Sequence, residues 1–331
     1  MTNRQIVLKS RPVGEPVATD FELIEGPIPE PEAGQFVAQN IYLGLAPAAR
    51  LRMSEGASYA APTPLGSVVY GQSAGIVVAS RNDRFQVGDK VVVTDGGWQD
   101  YTLTDGALAT KVDEGKAPLA SWLGVLGVSG QTAYGGLLLH GRPKPGETVV
   151  VSAASGAVGG AVGQIARIKG CRVIGIAGGA KKCAFVRETL GFDDCVDHRA
   201  AAFDAALRAA CPNGVDVYFD NVGGAVRDAV FPLMNDFGRI VVCGLIAEYN
   251  STTTRAGPDW FPILTRRLTI RGFLMRDHAD IQPRFIEDVS GWLADRRIVA
   301  REDITRGLHR APEAFIAMLQ GRNFGKTLVE L

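Results

Sequence analysis

The chain has 331 residues, enough for two domains with substantial cores. Lysine plus arginine and aspartate plus glutamate number 35 each, so no net charge draws it to nucleic acid or to an anionic membrane surface. No run approaches the ~18 apolar residues of a membrane span. The five cysteines (171, 183, 195, 211, 243) are scattered and odd in number, with no paired metal spacing, the pattern of a reduced, cytoplasmic protein. The polar opening Thr2-Asn3-Arg4-Gln5 has no apolar signal segment behind it, which gives the same expectation.

Short apolar runs punctuated by Gly, Pro, Asn and Asp mark residues 4–112 as strands and turns: Val7-Leu8, then 36–41, 68–78, 90–93 and 101–103. This half reads as an all-β barrel or sandwich. Residues 118–139 change to a helical spacing, through Leu119, Trp122, Leu123, Leu126, Tyr134, Leu137 and Leu138. Pro143, Pro145 and Gly146 then form a loop.

Residues 149–179 organise the rest. Val149-Val150-Val151 stops at small residues, Gly156 and Gly159 open a helical pattern through Val162, Ile165 and Ile168, and Gly170 closes it before Val173-Ile174. Strand, tight turn, helix and strand within about thirty residues make a βαβ unit. The glycines leave room for a pyrophosphate against the amides of the helix N-terminus. One of Ala153, Ala154 and Ser155 replaces the usual first glycine. Beyond the second strand, where an NAD site wants an acid for the ribose 2′-hydroxyl, the chain reads Ala177-Gly178-Gly179-Ala180-Lys181-Lys182. Two lysines in place of an acid favour NADP(H); the alternative is that they only solvate a helix start.

The βα alternation continues: helix 181–190, strand 195–197, helix 203–210, strand 215–219, helix 225–234, and strands 239–243 and 268–273. This is the pattern of a parallel sheet with helices on both faces, a doubly wound α/β domain whose ligand sits beyond the carboxyl ends of the strands. A further amphipathic helix is predicted over 283–295, and short strands return near 325–329.

From 127 onward the motifs GVSGQTAYGGL, SAASGAVGGAVGQIA, GIAGGAKK, FDNVGG, GRIVVCGLIAEYN and NFGKTLV stand in order. With them the chain resembles the zinc-independent medium-chain dehydrogenase/reductase superfamily, and within it the NADPH-dependent alkenal/one reductases. The resemblance implies a GroES-like, β-rich catalytic domain (1–125, completed by 297–331) and a Rossmann NADP-binding domain (126–296). It also implies a homodimer, with the strands at 239–243 and 268–273 as candidates for pairing across it. The reaction implied is hydride transfer from NADPH to the β-carbon of a small α,β-unsaturated carbonyl.

Carried over residue by residue, the phosphate loop is Ala153, Ala154, Ser155, Gly156, Ala157, Val158 and Gly159. Gly178 and Lys182 flank the 2′-phosphate, and Asn221 holds the ribose side. Cys243, Gly244 and Tyr249 line the cofactor. Phe273, Met275, Asn323 and Gly325 complete the nicotinamide end, and Pro47 touches the cofactor from the N-terminal half. The chain departs from the family at His198, where tyrosine is usual near the adenosine phosphate; His198 either donates to that phosphate or is a plain surface histidine. The motif LSLDPYMR reads Leu43-Gly44-Leu45-Ala46-Pro47-Ala48-Ala49-Arg50, a less polar version. Gly71-Gln72-Ser73 stands where zinc enzymes carry Gly-His-Glu.

No catalytic metal is expected. Residues 1–139 hold neither Cys nor His, and His140, His198, His278 and His309 share no ligand spacing. An enolate oxygen then needs another donor. Tyr249 is the candidate, alone or with the cofactor ribose hydroxyl; the alternative is that it only packs on the cofactor. Tyr42, Arg50, Arg52, Trp98, Tyr101 and Trp260 either line the substrate side or belong to core and rim, and Trp98, in a turn beside Gly96-Gly97, is expected to be partly exposed. Two rival readings stay open: a quinone oxidoreductase of the same fold, and a protein that binds NADPH without turnover.

Overall fold

Strands crowd both ends of the chain and alternate with helices in its middle. The computed structural model describes every residue except 1, 57 and 254–256. Its strands are β1 (Asn3–Leu8), β2 (Phe21–Gly26), β3 (Phe36–Gly44), β4 (Gln72–Ser80), β5 (Lys90–Val93), β6 (Tyr101–Thr104), β7 (Ala109–Lys111), β8 (Thr148–Ser152), β9 (Arg172–Ala177), β10 (Asp194–Asp197), β11 (Val215–Asp220), β12 (Met234–Val242), β13 (Thr269–Gly272), β14 (Glu302–Arg306) and β15 (Lys326–Glu330). The chain divides into two units, Met1–Gly124 with Glu302–Leu331, and Val125–Arg301.

The first unit is β-rich. Its main sheet runs β14-β15-β3-β4-β5-β7, with β6 also paired to β3, and β1 and β2 form a separate antiparallel hairpin. One core gathers distant segments: Trp98 stacks on Phe21 at 5.7 Å and meets Phe315 edge-on at 5.4 Å. Trp98 is 0 % exposed, so it is core and not the partly exposed turn residue that its glycine neighbours suggest. The strand read from 68–78 begins only at Gln72; Val68 instead bridges Val7.

The second unit is a six-stranded parallel sheet in the order β10-β9-β8-β11-β12-β13. The central strand β8 is buried along its whole length, as a strand covered on both faces must be. Numbered from β8, that order is 3-2-1-4-5-6, and the winding reverses between β8 and β11. Strand β12 lies between β11 and β13, so of these two strands it is β13, at the end of the sheet, that keeps an outer edge for pairing across a dimer.

The predicted helical stretch 118–139 is broken. Leu119–Trp122 is a short 3-10 turn of the first unit, Val128–Gly135 is α-helical, and Gly136–Gly141 continues as π-helix in the second. Gly127 is extended at the break, and Gly135 and Gly136 take no side chain because Met275, Phe273 and Phe219 fill that space. Among the described residues, no helix is long and apolar enough to cross a membrane.

Candidate active site

The carboxyl end of β8 sets the first part of the site. Ala153 follows with φ 51°, a left-handed backbone that a glycine adopts without strain. Of the three residues at the missing first glycine, Ala153 therefore takes its conformation. The amide of Gly156 donates to the Ala153 carbonyl at 2.9 Å, and that of Ala154 to Ile176 on β9 at 3.0 Å. Gly156 caps the helix Ala157–Ile168 with no side-chain hydrogen bond, which leaves first-turn amides to meet an anion. A Cβ at Gly159 would overlap the Ala153 carbonyl, so this glycine is required for the turn itself. Ser155, Ala157 and Val158 complete the bend, with Ser155 and Ala154 buried.

Where the winding reverses, Asn221 ties β11 to β8. Its amide group donates to the Ser152 carbonyl and its backbone N–H to Ser152 Oγ, both at 2.8 Å. Asp220, 1 % exposed, accepts from Tyr218 Oη at 2.8 Å and from the amides of Val222 and Gly223 at 2.9 Å. Its carbonyl accepts the amides of Cys243 (2.8 Å) and Gly244 (3.1 Å), which joins the end of β12 to the same point. Burial, reinforced by Asp220, pushes the Cys243 thiol up to about 12. Cys243 is thus a neutral lining group at pH 7 and no nucleophile.

The loop after β12 folds back over this junction. Tyr249 Oη accepts the Leu245 N–H at 3.2 Å and lies 3.2 Å from where a Cβ on Gly244 would be. Ala247 donates to the Val222 carbonyl at 3.1 Å, and Glu248 Oε1 accepts from Gly224 at 3.3 Å and pairs with Arg227 at 3.4 Å. The phenol is therefore held at the strand ends by a loop anchored to β11. A hydroxyl that accepts an amide N–H is polarised into a stronger donor.

At the ends of β9 and β10, Gly178 is enclosed by basic groups. A Cβ there would fall 2.8 Å from Arg199 Nε and 2.9 Å from His198 Nε2. Lys182, in the first turn of the helix Ala180–Glu188, adds its charge to the field at His198. Desolvation, then Arg199, lowers the His198 pKa, so the imidazole is neutral at pH 7 and lysine and arginine carry the charge. The nearest acid, Asp197, accepts the amides of Gly179 (2.8 Å) and Arg199 (2.9 Å), which hold its pKa below the usual carboxylate range. Arg199 was missed by sequence reasoning; the signal was the Asp-His-Arg run closing the third strand of the alternation.

Phe273 and Met275 leave β13 with their side chains packed on Gly136 and Gly135, and Phe273 also lies 5.2 Å from His140. Pro47, Asn323 and Gly325 belong to the first unit. There Pro47 precedes the short helix Ala48–Leu51, and Asn323 Nδ2 donates to the Gly325 carbonyl at 3.2 Å in a turn with Gly325 at φ 67°. Arg50 is 4 % exposed and donates to Ser54 and to the Gly14 carbonyl, so it is an anchor and not a substrate contact. Trp260, at 72 % exposure, is not core. Among the described residues no three His, Cys, Asp or Glu side chains gather as metal ligands.

Comparison with known proteins adds the following. Residues 4–112 match the family model for the N-terminal domain of oxidoreductases, and residues 157–291 match that for zinc-binding dehydrogenases. The chain is 46 % identical to the NADPH-dependent curcumin reductase of Escherichia coli, over 99 % of this chain and 97 % of that one. It is 38 % identical to the NADP(+)-dependent 2-alkenal reductase of Nicotiana tabacum, over 99 % and 97 %. Its fold superposes on CurA from Vibrio vulnificus in complex with NADPH with a TM-score of 0.94 at 47 % identity, covering 99 % and 98 % of the two chains.

Proposed function

The chain belongs to the NADPH-dependent enone reductases of the medium-chain dehydrogenase/reductase family, and from that premise we propose that it reduces the C=C bond of α,β-unsaturated aldehydes and ketones. It is an NADP(H) enzyme acting on small molecules. Bound NADPH supplies a hydride at nicotinamide C4.

The residues fit that cofactor on local grounds. The bend at 153–159 leaves space for a pyrophosphate that a Cβ at Gly159 would fill. Arg199 and neutral His198 lie against Gly178 and Lys182 adds its charge at His198, as a 2′-phosphate requires, with Asp197 already engaged by amides. Asn221, Cys243 and Gly244 take the ribose side. Phe273 and Met275, whose side chains are packed inward, offer main chain at the nicotinamide end; for Pro47, Asn323 and Gly325 the cofactor role is the one that the family resemblance implies.

Hydride addition at the β-carbon puts negative charge on the carbonyl oxygen. A positioned donor stabilises it, and the Tyr249 phenol is the group this site offers. Water delivers the proton to the α-carbon. The observation that carries this reading is the Tyr249 hydroxyl held over Gly244 at the carboxyl ends of the strands.

The free edge of β13, with Trp260, Phe261 and Leu264 at 72, 67 and 74 % exposure, supports assembly as a homodimer; sedimentation as a 35.2 kDa species would contradict it. The activity is tested by NADPH oxidation across 2-alkenals, aryl enones and quinones, with NADH as control. Enals and enones are expected to be reduced, with NADPH preferred. Reduction of quinones alone would make the chain a quinone oxidoreductase, and tight NADPH binding with no acceptor reduced would favour a binding protein.

A further inference from the structure

The helix Ala157–Ile168 has two working ends. It runs 12 residues, about 18 Å, from the phosphate bend at Gly156 to the connection into the amino end of β9. At that far end Gln164, Arg167 and Ile168 fall at the spacing that shares one helix face. With Leu190 and Arg297 they line an open cavity of about 290 Å³, all of it inside the second unit. That volume is at the lower edge of the ~300–1,000 Å³ of small-molecule sites. The dinucleotide bend lies past the carboxyl ends of the strands, and this cavity lies at their opposite ends.

Glycines let its walls close. A Cβ at Gly160 would come 3.2 Å from Leu190 Cδ1, and one at Gly163 would overlap the Phe192 ring, so the turn 190–192 lies directly on the helix. A Cβ at Gly191 would overlap Arg167 Nη1, so this glycine makes room for the guanidinium. The facing wall is the end of the helix Gln282–Ala294. Arg296 takes a left-handed backbone at φ 57°, and the Arg297 amide turns back to the Trp292 carbonyl at 2.8 Å. Gln164, 5 % exposed, ties the two walls together: its Oε1 accepts the Val299 N–H at 2.7 Å and its Nε2 donates to the Val299 carbonyl at 3.2 Å.

The charge of the cavity has one sign. No acid lines it, and among the described residues neither Arg167 nor Arg297 forms an ion pair or donates a side-chain hydrogen bond. A basic residue in the last turn of a helix ordinarily binds the free carbonyls there. Arg167 stands in that turn and binds none of them. A guanidinium presents its N–H donors as a planar fork that matches two oxygens of one carboxylate or phosphate. Ile168 and buried Leu190 give the same cavity an apolar surface. We propose that this cavity is an oxyanion site, separate from the dinucleotide bend, for a small molecule that joins a carboxylate or a phosphate monoester to a compact apolar group. Arg167 and Arg297 take the oxyanion, and Ile168 and Leu190 take the apolar body.

Two consequences follow from the chemistry of the pair. Both arginines are exposed, so binding weakens as salt is added. Arginine does not titrate near neutral pH, so any pH dependence belongs to the ligand. A phosphate monoester, whose second ionisation lies near pH ~6, binds more tightly at pH 7.5 than at pH 5.5, and a carboxylate binds about equally at both.

The test uses the whole protein saturated with NADPH, so that the sites for the cofactor's own phosphates are filled. Phenyl phosphate and benzoate are titrated by calorimetry in low-salt buffer, with benzyl alcohol as the uncharged control. Saturable binding of at least one anion is expected, and none of benzyl alcohol; the tighter anion and its pH dependence identify which oxyanion the site takes. Arg167→Ala and Arg297→Ala are each expected to weaken that binding by about 10- to 100-fold. Arg297→Lys keeps the charge without the fork and is expected to recover only part of it. Thermal unfolding confirms that each variant is folded. No saturable binding of either anion to the unaltered, NADPH-loaded protein overturns the proposal, a result that needs no variant. Anion binding that is unchanged in both alanine variants overturns it too, because the anion then sits elsewhere.

Discussion

Tyr249→Phe is expected to lower turnover on an aryl enone by about 10²–10³ while leaving NADPH affinity essentially unchanged. The phenol hydroxyl is the donor proposed for the enolate oxygen, and that interaction develops only as charge develops, so its loss falls on kcat more than on KM. The substitution also removes the acceptor of the Leu245 amide, bonded at 3.2 Å. That costs about 1 kcal/mol of stability, small beside the effect on rate, and thermal unfolding measures it separately. The loop stays anchored by Ala247 on Val222 and by Glu248 on Gly224 and Arg227. Turnover equal to wild type would remove Tyr249 from the chemistry. An equal loss of NADPH affinity would make it a packing residue on the cofactor.

Arg199→Ala and Lys182→Ala are each expected to weaken NADPH binding by about 10- to 100-fold, the worth of about 1.5–3 kcal/mol for a hydrogen bond to a charged group. NADH binding should be unaffected, because the lost partner is the 2′-phosphate. The two residues act on one phosphate beside Gly178, so the double variant loses less than the sum of the two. Added salt should weaken NADPH more than NADH, since Arg199 is exposed and Lys182 only half-buried. Parallel losses for NADPH and NADH in either variant would place that residue outside the 2′-phosphate site.

The parts of this site that were legible in the sequence are local. Strand, bend and helix in residues 149–179 depend on contacts within thirty residues, and β8, the helix Ala157–Ile168 and β9 form where the apolar periodicity puts them. Lys182, Asn221 and Tyr249 fall at strand ends because the alternation of the chain fixes where strands end. What was illegible is tertiary. Arg199 gains its meaning from lying against Gly178, a residue on the neighbouring strand connection. Trp98 is buried by Phe21 and Phe315, residues far away in the chain.

Weak local pattern hid other elements. β2 exposes most of its length, with the burial of Phe21 alone at its start, so it has no apolar face to detect. β14, Glu302–Arg306, is similarly polar and forms because β15 offers it a parallel edge. The helix Ala311–Leu319 was also missed: it opens with Pro312 at its first turn, a signal that marks a helix start as readily as a turn. The stretch 118–139 erred in the opposite direction, with a convincing helical spacing cut by Gly124 and Gly127 into parts that serve different units.

The most direct measurement is the fate of the hydride. With NADPH deuterated at nicotinamide C4 and an aryl enone as acceptor, deuterium is expected at the β-carbon of the saturated ketone, with the α-carbon hydrogen drawn from water. Deuterium on the carbinol carbon of an allylic alcohol, or a saturated product carrying no label at the β-carbon, would contradict the account.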